Sequence, residues 1–195
     1  MKIYFHFSEL VLANTYLIGN EETGEAIIVD PCKITYKIID QIEKNKFTLK
    51  AVFITRNHNR YNENGLKTIL KIYPSNVYAW DDVVDGIKTT ALKSDGLMSV
   101  AGFEVNYYSI HGNALIFQIN NIAFTGSAIS AGMIAKTSSI YALKNIRAGL
   151  KNKLLNQKKE VLIMPAFGPP TSISIEQNFN MDVLKELYFK KESLF

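Results

Sequence analysis

Residues 51–61 read Ala-Val-Phe-Ile-Thr-Arg-Asn-His-Asn-Arg-Tyr. The run up to Thr55 is short and rich in β-branched and aromatic side chains, which is the signature of a strand. Residues 56–61 then place Arg56, His58, Arg60 and Tyr61 in one polar stretch. Outward from this point, runs at 2–7, 14–19, 25–29, 76–80, 98–110, 114–119, 121–125 and 160–164 read as further strands. Most are closed by Gly, Asn, Asp or Pro.

Helical spacing lies between the strands. Residues 34–46 set Ile34, Ile38 and Ile42 four apart, and 62–73 place Leu66, Ile69, Leu70 and Tyr73 on one face. The longest helix candidate is 137–156, with Ile140, Leu143, Ile146, Leu150 and Leu154 as its stripe. Its Lys144, Arg147, Lys151 and nearby Lys158 read as a solvated face, because no aromatic platform interleaves with them. Strands in groups with helices outside them predict two packed sheets flanked by helices.

At 195 residues the chain has the length of one domain, 1–195, able to bury a substantial core. Its 47% apolar and 21% charged residues are those of an ordinary soluble globular protein. No stretch approaches the ~20 apolar residues that span a bilayer, so no membrane partner is expected. In the N-terminal stretch, Ser8, Glu9, Asn14 and Thr15 break the apolar run, and no small-residue cleavage site follows. Cys32 is the single cysteine, which excludes an intramolecular disulfide and points to a cytoplasmic location. A formal charge of +4 and a pI near 9.0 allow an acidic partner without identifying one.

Four segments, in order, carry a family resemblance. Asn14-Thr15-Tyr16-Leu17-Ile18 followed by Ala26-Ile27-Ile28-Val29-Asp30-Pro31 resembles the opening hairpin of the metallo-β-lactamase superfamily. Ala51-Val52-Phe53-Ile54-Thr55 resembles the strand that leads into that family's T-H-x-H-x-D-H metal loop. The stretch FTGSAISAGMIAKT, from Phe124, resembles F-T-G-D-x-L-F-A-G-x-I-G-R-T, and AFGPPTSISIEQNFN resembles G-H-G-P-x-T-x-x-x-E-x-x-x-N-P. The resemblance runs from about residue 3 to residue 181, and the last two segments are similar to the short glyoxalase II-like hydrolases. It implies an α/β fold, the αββα sandwich of two mixed β-sheets flanked by helices.

The family's chemistry needs two metal ions, which share a hydroxide and polarise the scissile carbonyl. Matched position by position, the first loop histidine is Arg56, the second survives as His58, the aspartate is Arg60 and the third histidine is Tyr61. A further histidine survives as His111, the bridging aspartate is Ser127, and the histidine of G-H-G-P is Phe167. The chain has three histidines, one of them His6 in the first strand, so a five-histidine site cannot be assembled. Arginine neither deprotonates nor coordinates. No metal cofactor is therefore expected, with His58 and His111 the residual candidates for a mononuclear site or, alternatively, hydrogen-bonded pocket residues.

The replacements carry their own readings. Ser127 is either a nucleophile without an obvious base or a filler of the lost carboxylate's place. Cys32 is a reactive thiol near the cleft or a buried small hydrophobe. Tyr61 and Phe167 are a core plug or a pocket wall. Asp30 matches an aspartate that supports the metal loop from behind; it either holds the loop through backbone hydrogen bonds or pairs with Arg56 or Arg60.

Three functions compete. The favoured one is a non-catalytic protein that binds a small anionic ligand or a partner through the former cleft, lined by Asp30, Arg56, His58, Arg60, Tyr61, His111, Ser127 and Phe167. An alternative is a hydrolase of esters or thioesters with His58 as base, using a residual mononuclear or metal-independent site. The third is a nucleic-acid-associated protein, disfavoured because the superfamily's nucleases need the same histidine-rich site.

Overall fold

The first sheet opens with two long hairpin strands, β1 (Lys2–Ser8) and β2 (Ala13–Asn20), followed by β3 (Glu25–Val29). The chain then alternates α1 (Tyr36–Lys44), β4 (Thr48–Phe53), α2 (Gly65–Ile72) and β5 (Asn76–Ala79). A small hairpin, β6 (Val83–Val84) with β7 (Ile87–Lys88), precedes the short β8 (Thr90–Ala91). The second half contains β9 (Gly96–Val100), β10 (Phe103–Ile110), β11 (Ala114–Ile119), β12 (Ile122–Gly126) and the hairpin β13 (Ile129–Ser130) with β14 (Met133–Ile134). It ends with α3 (Ile140–Leu150), which continues into a π-helical turn at Lys151–Leu155, then β15 (Leu162–Pro165), β16 (Thr171–Ser172) and α4 (Ile173–Phe179). This computed structural model describes residues 1–57, 64–137 and 139–183.

The strands form two six-stranded sheets, ordered β1-β2-β3-β4-β5-β8 and β16-β15-β12-β11-β10-β9. Each is mixed. The first is parallel from β3 onward, and the second has β12 and β15 parallel within an antiparallel set. Helical crossovers accompany most of the parallel pairs, α1 between β3 and β4, α2 between β4 and β5 and α3 between β12 and β15, whereas the β6–β7 hairpin lies between β5 and β8.

Two apolar faces per sheet make three cores. Between the sheets, Tyr16, Ile18, Val29 and Phe53 meet Leu115, Phe117 and Phe124. Phe53 stacks on Phe117 across that layer at 4.3 Å between ring centroids. Outside the first sheet, Leu17, Ile28 and Val52 pack on Ile38, Ile42, Leu66 and Ile69 of α1 and α2. Outside the second, Ile116, Ala123 and Ile163 pack on Ile146, Leu150 and Ile173 of α3 and α4. Strands buried on both faces read as continuous apolar runs, which is why β2, β3, β11 and β12 show little alternation. The architecture is the αββα sandwich, an α/β fold. Among the described residues, no helix is long and apolar enough to cross a membrane.

Three expectations needed correction. The single strand at 98–110 is two, β9 and β10, turned by Ala101 and Gly102 in left-handed conformation at φ 53° and 67°. Alanine carries no turn signal, so the apolar alternation runs through it. The stripe of the longest helix begins at Leu143, because Ile140 is 76% exposed in the first turn of α3. Arg147 is not on a solvated face: its guanidinium is drawn to Asp182 at 3.7 Å.

Candidate active-site rim

The carboxyl ends of β3, β4, β12 and β15 meet at one rim. Asp30 follows β3 directly, and its N–H donates to the Phe53 carbonyl at 2.9 Å, so the chain turns sharply out of the sheet. Asp30 adopts a left-handed φ of 46°, which aspartate tolerates better than most residues. The turn folds the carboxylate back onto β4's exit. Its Oδ1 accepts from the Thr55 N–H at 2.8 Å and its Oδ2 from the Thr55 Oγ1 at 2.6 Å. Burial pushes the Asp30 carboxyl up to about 6, although both Thr55 hydrogen bonds pull the other way.

The same turn is tied from the opposite side. Thr15 Oγ1 donates to the Asp30 carbonyl at 2.7 Å and accepts from the Cys32 N–H at 3.1 Å. Cys32 is fully buried, and its thiol points at the Asp30 carbonyl, 3.3 Å away. The bland reading of Cys32 as a buried small side chain fits this place, since a reactive thiolate needs access and positive charge.

Thr55 is the hub of the rim. Its carbonyl accepts from the Leu115 N–H at 2.7 Å, and Arg56 forms an isolated antiparallel bridge with Ala114. A side chain on Gly126 would lie 2.1 Å from the Thr55 Oγ1, so glycine is required where β12 crosses behind it. The Ala166 N–H donates to the Gly126 carbonyl at 2.8 Å, and the Asn14 N–H to the Ala166 carbonyl at 2.8 Å. Asn14 Nδ2 adds bonds to the carbonyls of Pro165 and Gly168 at 2.9 and 2.8 Å. These contacts bring together the segments that carry Asp30, Arg56, Ser127 and Phe167.

Arg56 is half-buried. One of its terminal nitrogens lies 3.6 Å from where a Gly112 side chain would begin, so the guanidinium reaches the turn beside His111. Among the described residues no carboxylate pairs with it. The alternative pairing of Asp30 with Arg56 is thereby corrected, because Thr55 occupies both carboxylate oxygens. His111 is exposed and meets Tyr141 edge-on at 6.2 Å. Ser127 Oγ is buried and has no hydrogen-bond partner among the described residues. Phe167 is half-buried on the loop after β15. His58, Arg60 and Tyr61 lie outside the described residues. Within them, no three His, Cys, Asp or Glu side chains come together as a group able to hold a metal.

No family model matches the chain. It is 32% identical over 134 residues to an uncharacterised protein of Treponema pallidum (strain Nichols), covering 68% of this chain and 75% of that one. Solved structures that resemble it do so at low identity, two of them as follows. ETHE1 from Myxococcus xanthus superposes with a TM-score of 0.84 at 19% identity, over 95% of this chain and 85% of the other. A metallo-β-lactamase from Staphylococcus aureus subsp. aureus COL gives 0.83 at 18%, over 94% and 62%. The chain belongs to one family with the Treponema protein and has the metallo-β-lactamase fold.

Within this metallo-β-lactamase fold, the residues that hold the rim in place were missed at the level of sequence. Asn14, Thr15 and Thr55 were seen only as parts of motifs. The available signal was polar residues at strand ends in otherwise apolar runs, since such groups stay buried only when hydrogen-bonded. Glu176 was missed in the same way. It is fully buried, accepts from Asn180 Nδ2 at 2.6 Å and from the Gly132 N–H at 3.2 Å, and so ties α4 to the β13–β14 hairpin.

Proposed function

We propose that this chain is a glyoxalase II-like member of the metallo-β-lactamase fold whose cleft binds a small oxyanion and does not hydrolyse it through a dinuclear metal centre. One observation carries the reading: Arg56 presents a guanidinium at the rim with no carboxylate paired to it among the described residues, while Asp30 is occupied by Thr55. The donor set also fits a metal poorly. A cation stands at the first ligand position, a lone hydroxyl at the bridging one and a phenyl ring at the last, whereas catalytic zinc takes three protein ligands.

Charge supports the same conclusion. Two zinc ions contribute about +4 and two carboxylate ligands about −2, leaving about +2 for substrate to meet. Arg56 and Arg60 together also make about +2. An oxyanion matches the planar donor fork of arginine.

Thermal melts in phosphate, sulfate and chloride at matched ionic strength test the proposal. A specific anion stabilises by mass action, and screening does not discriminate between anions. Equal melting temperatures, or an anion-dependent shift unchanged in Arg56→Ala with Arg60→Ala, would remove the anion site. Hydrolysis of S-lactoylglutathione should match buffer with or without added zinc.

A further inference from the structure

The first sheet ends at β1, whose seven residues all pair with β2, from Lys2 opposite Gly19 to Ser8 opposite Ala13. Among the described residues no strand pairs its other side. Backbone groups alternate along an antiparallel strand, so every second N–H and C=O of β1 points away from the sheet. Natural edges are blunted by lysines, an inward charge, a proline or a bulge. Between Ile3 and Ser8 this one has none of them: the run Ile-Tyr-Phe-His-Phe-Ser contains no Lys, Arg, Asp, Glu or Pro, and its register with β2 is unbroken. Burial holds the imidazole of His6 toward its neutral form, with Nε2 on the Gln41 Oε1 at 2.7 Å.

The side chains on one face of this edge are apolar. Ile3 packs on the core between the sheets, and Phe5 extends that core outward, its ring 5.7 Å from that of Tyr16. Phe7 follows on the same face by the two-residue period of a strand. Phe5 is 49% exposed and Phe7 51%, with Leu10 71% exposed in the turn beyond them. The inter-sheet core therefore runs out to solvent along β1.

The occupant this edge fits is a second β1. Antiparallel pairing about a two-fold axis at Phe5 sets Phe5 against the partner's Phe5, Ile3 against the partner's Phe7 and Tyr4 against the partner's His6, and each such pair shares a face. No like charges come into register. Lys2 falls opposite the partner's Ser8 and already has Glu21 at 3.4 Å. Two half-exposed phenyl rings offer roughly 200 Å² per copy. With Leu10 and the backbone edge, two copies together cover on the order of 1,000 Å², the size at which specific but weak interfaces begin.

We propose that β1 is a dimerisation edge, through which two copies of this chain pair in antiparallel fashion, joining their first sheets across the seam and their inter-sheet cores through Phe5 and Phe7. The proposal goes beyond the anion reading of the cleft and does not rest on it.

Sedimentation equilibrium of the full chain from about 1 to about 500 µM tests it. The mass should rise with concentration from 22.0 kDa to twice that value and stop there, since a two-fold contact closes on itself. Amide exchange at the two ends of that range should slow at least about fivefold at alternate residues of β1 in the dimer, which contact between side chains alone would not produce. Phe7→Lys places a charge at the seam, as native edge strands do, and should weaken the dimer at least about tenfold while keeping the parent's circular dichroism spectrum. A mass of 22.0 kDa throughout, a dimer equally tight in Phe7→Lys, or a dimer whose β1 amides exchange as fast as the monomer's overturns the proposal. If Phe7→Lys does not fold, the concentration dependence of β1 exchange in the parent decides alone.

Discussion

Asp30 combines full burial, a left-handed backbone and a carboxylate spent on one neighbour, and its titration can be read from outside. Its folded-state value, about 6, lies above the ordinary 3.8, so folding favours the protonated form. Its stabilising effect is therefore complete below about pH 4 and lost as pH rises through about 6, with a ceiling of roughly 3 kcal/mol. Asn keeps an acceptor for the Thr55 N–H and cannot ionise. Urea unfolding at about pH 4.5 and about pH 7 should show Asp30→Asn gaining on the parent at the higher pH. An identical difference at both would contradict the burial argument.

Gly126 sits at the same hub. At φ 57°, with Thr55 Oγ1 at 2.1 Å from a built side chain and Thr55 Cβ at 2.6 Å, Gly126→Ala meets both backbone strain and overlap. A loss of about 2–4 kcal/mol is expected from the denaturation midpoint. A loss under about 1 kcal/mol would mean that the β12 exit can shift away from β4. Of these two residues the motifs pointed to both, Asp30 in the opening hairpin and Gly126 in Phe124-Thr125-Gly126. What they did not show was that each acts through Thr55, because hydrogen bonds across 25 residues have no local pattern.

Elements in this fold are joined by single polar residues as much as by cores. Glu176 is the tie between α4 and the β13–β14 hairpin, holding the Gly132 N–H and Asn180 Nδ2. Glu176→Ala strands the buried Asn180 Nδ2 and removes the partner of the Gly132 N–H on the exposed hairpin turn, and a cost of about 1–3 kcal/mol is expected. The Gly132 amide should exchange its hydrogen faster in the variant, since the hairpin has only two paired positions of its own. Unchanged exchange at Gly132 would show that the hairpin stands without α4. Element assignment was legible from sequence wherever burial is periodic, as in α1 and α2, whose Ile38, Ile42, Leu66 and Ile69 all face the sheet. It was not legible for two-residue strands such as β6, β7, β13 and β14, where two side chains carry no period.

For the molecule as a whole, the proposed loss of the dinuclear centre makes a direct statement about composition. Protein purified without chelator and dialysed should carry well under one equivalent of zinc, iron or manganese by elemental analysis. Excess chelator should leave its melting temperature unchanged, because a metal bound only to the folded state would otherwise add to stability. Stoichiometric metal, or a melting temperature that falls with chelator, would overturn the proposal. The sequence by itself determined the layered α/β fold, since apolar runs, helical stripes and four ordered motifs are properties of the chain that packing only completes. The sequence also supplied the residue types at the positions that resemble the family's ligands, on which the proposed function rests. Tertiary structure alone decided that Asp30 bonds Thr55 and not Arg56, that Arg147 turns to Asp182, and that Glu176 ties α4 to the β13–β14 hairpin. Local periodicity is set by backbone geometry, whereas a side chain's partner is set by which distant strands and loops the folded core brings within about 3 Å of it.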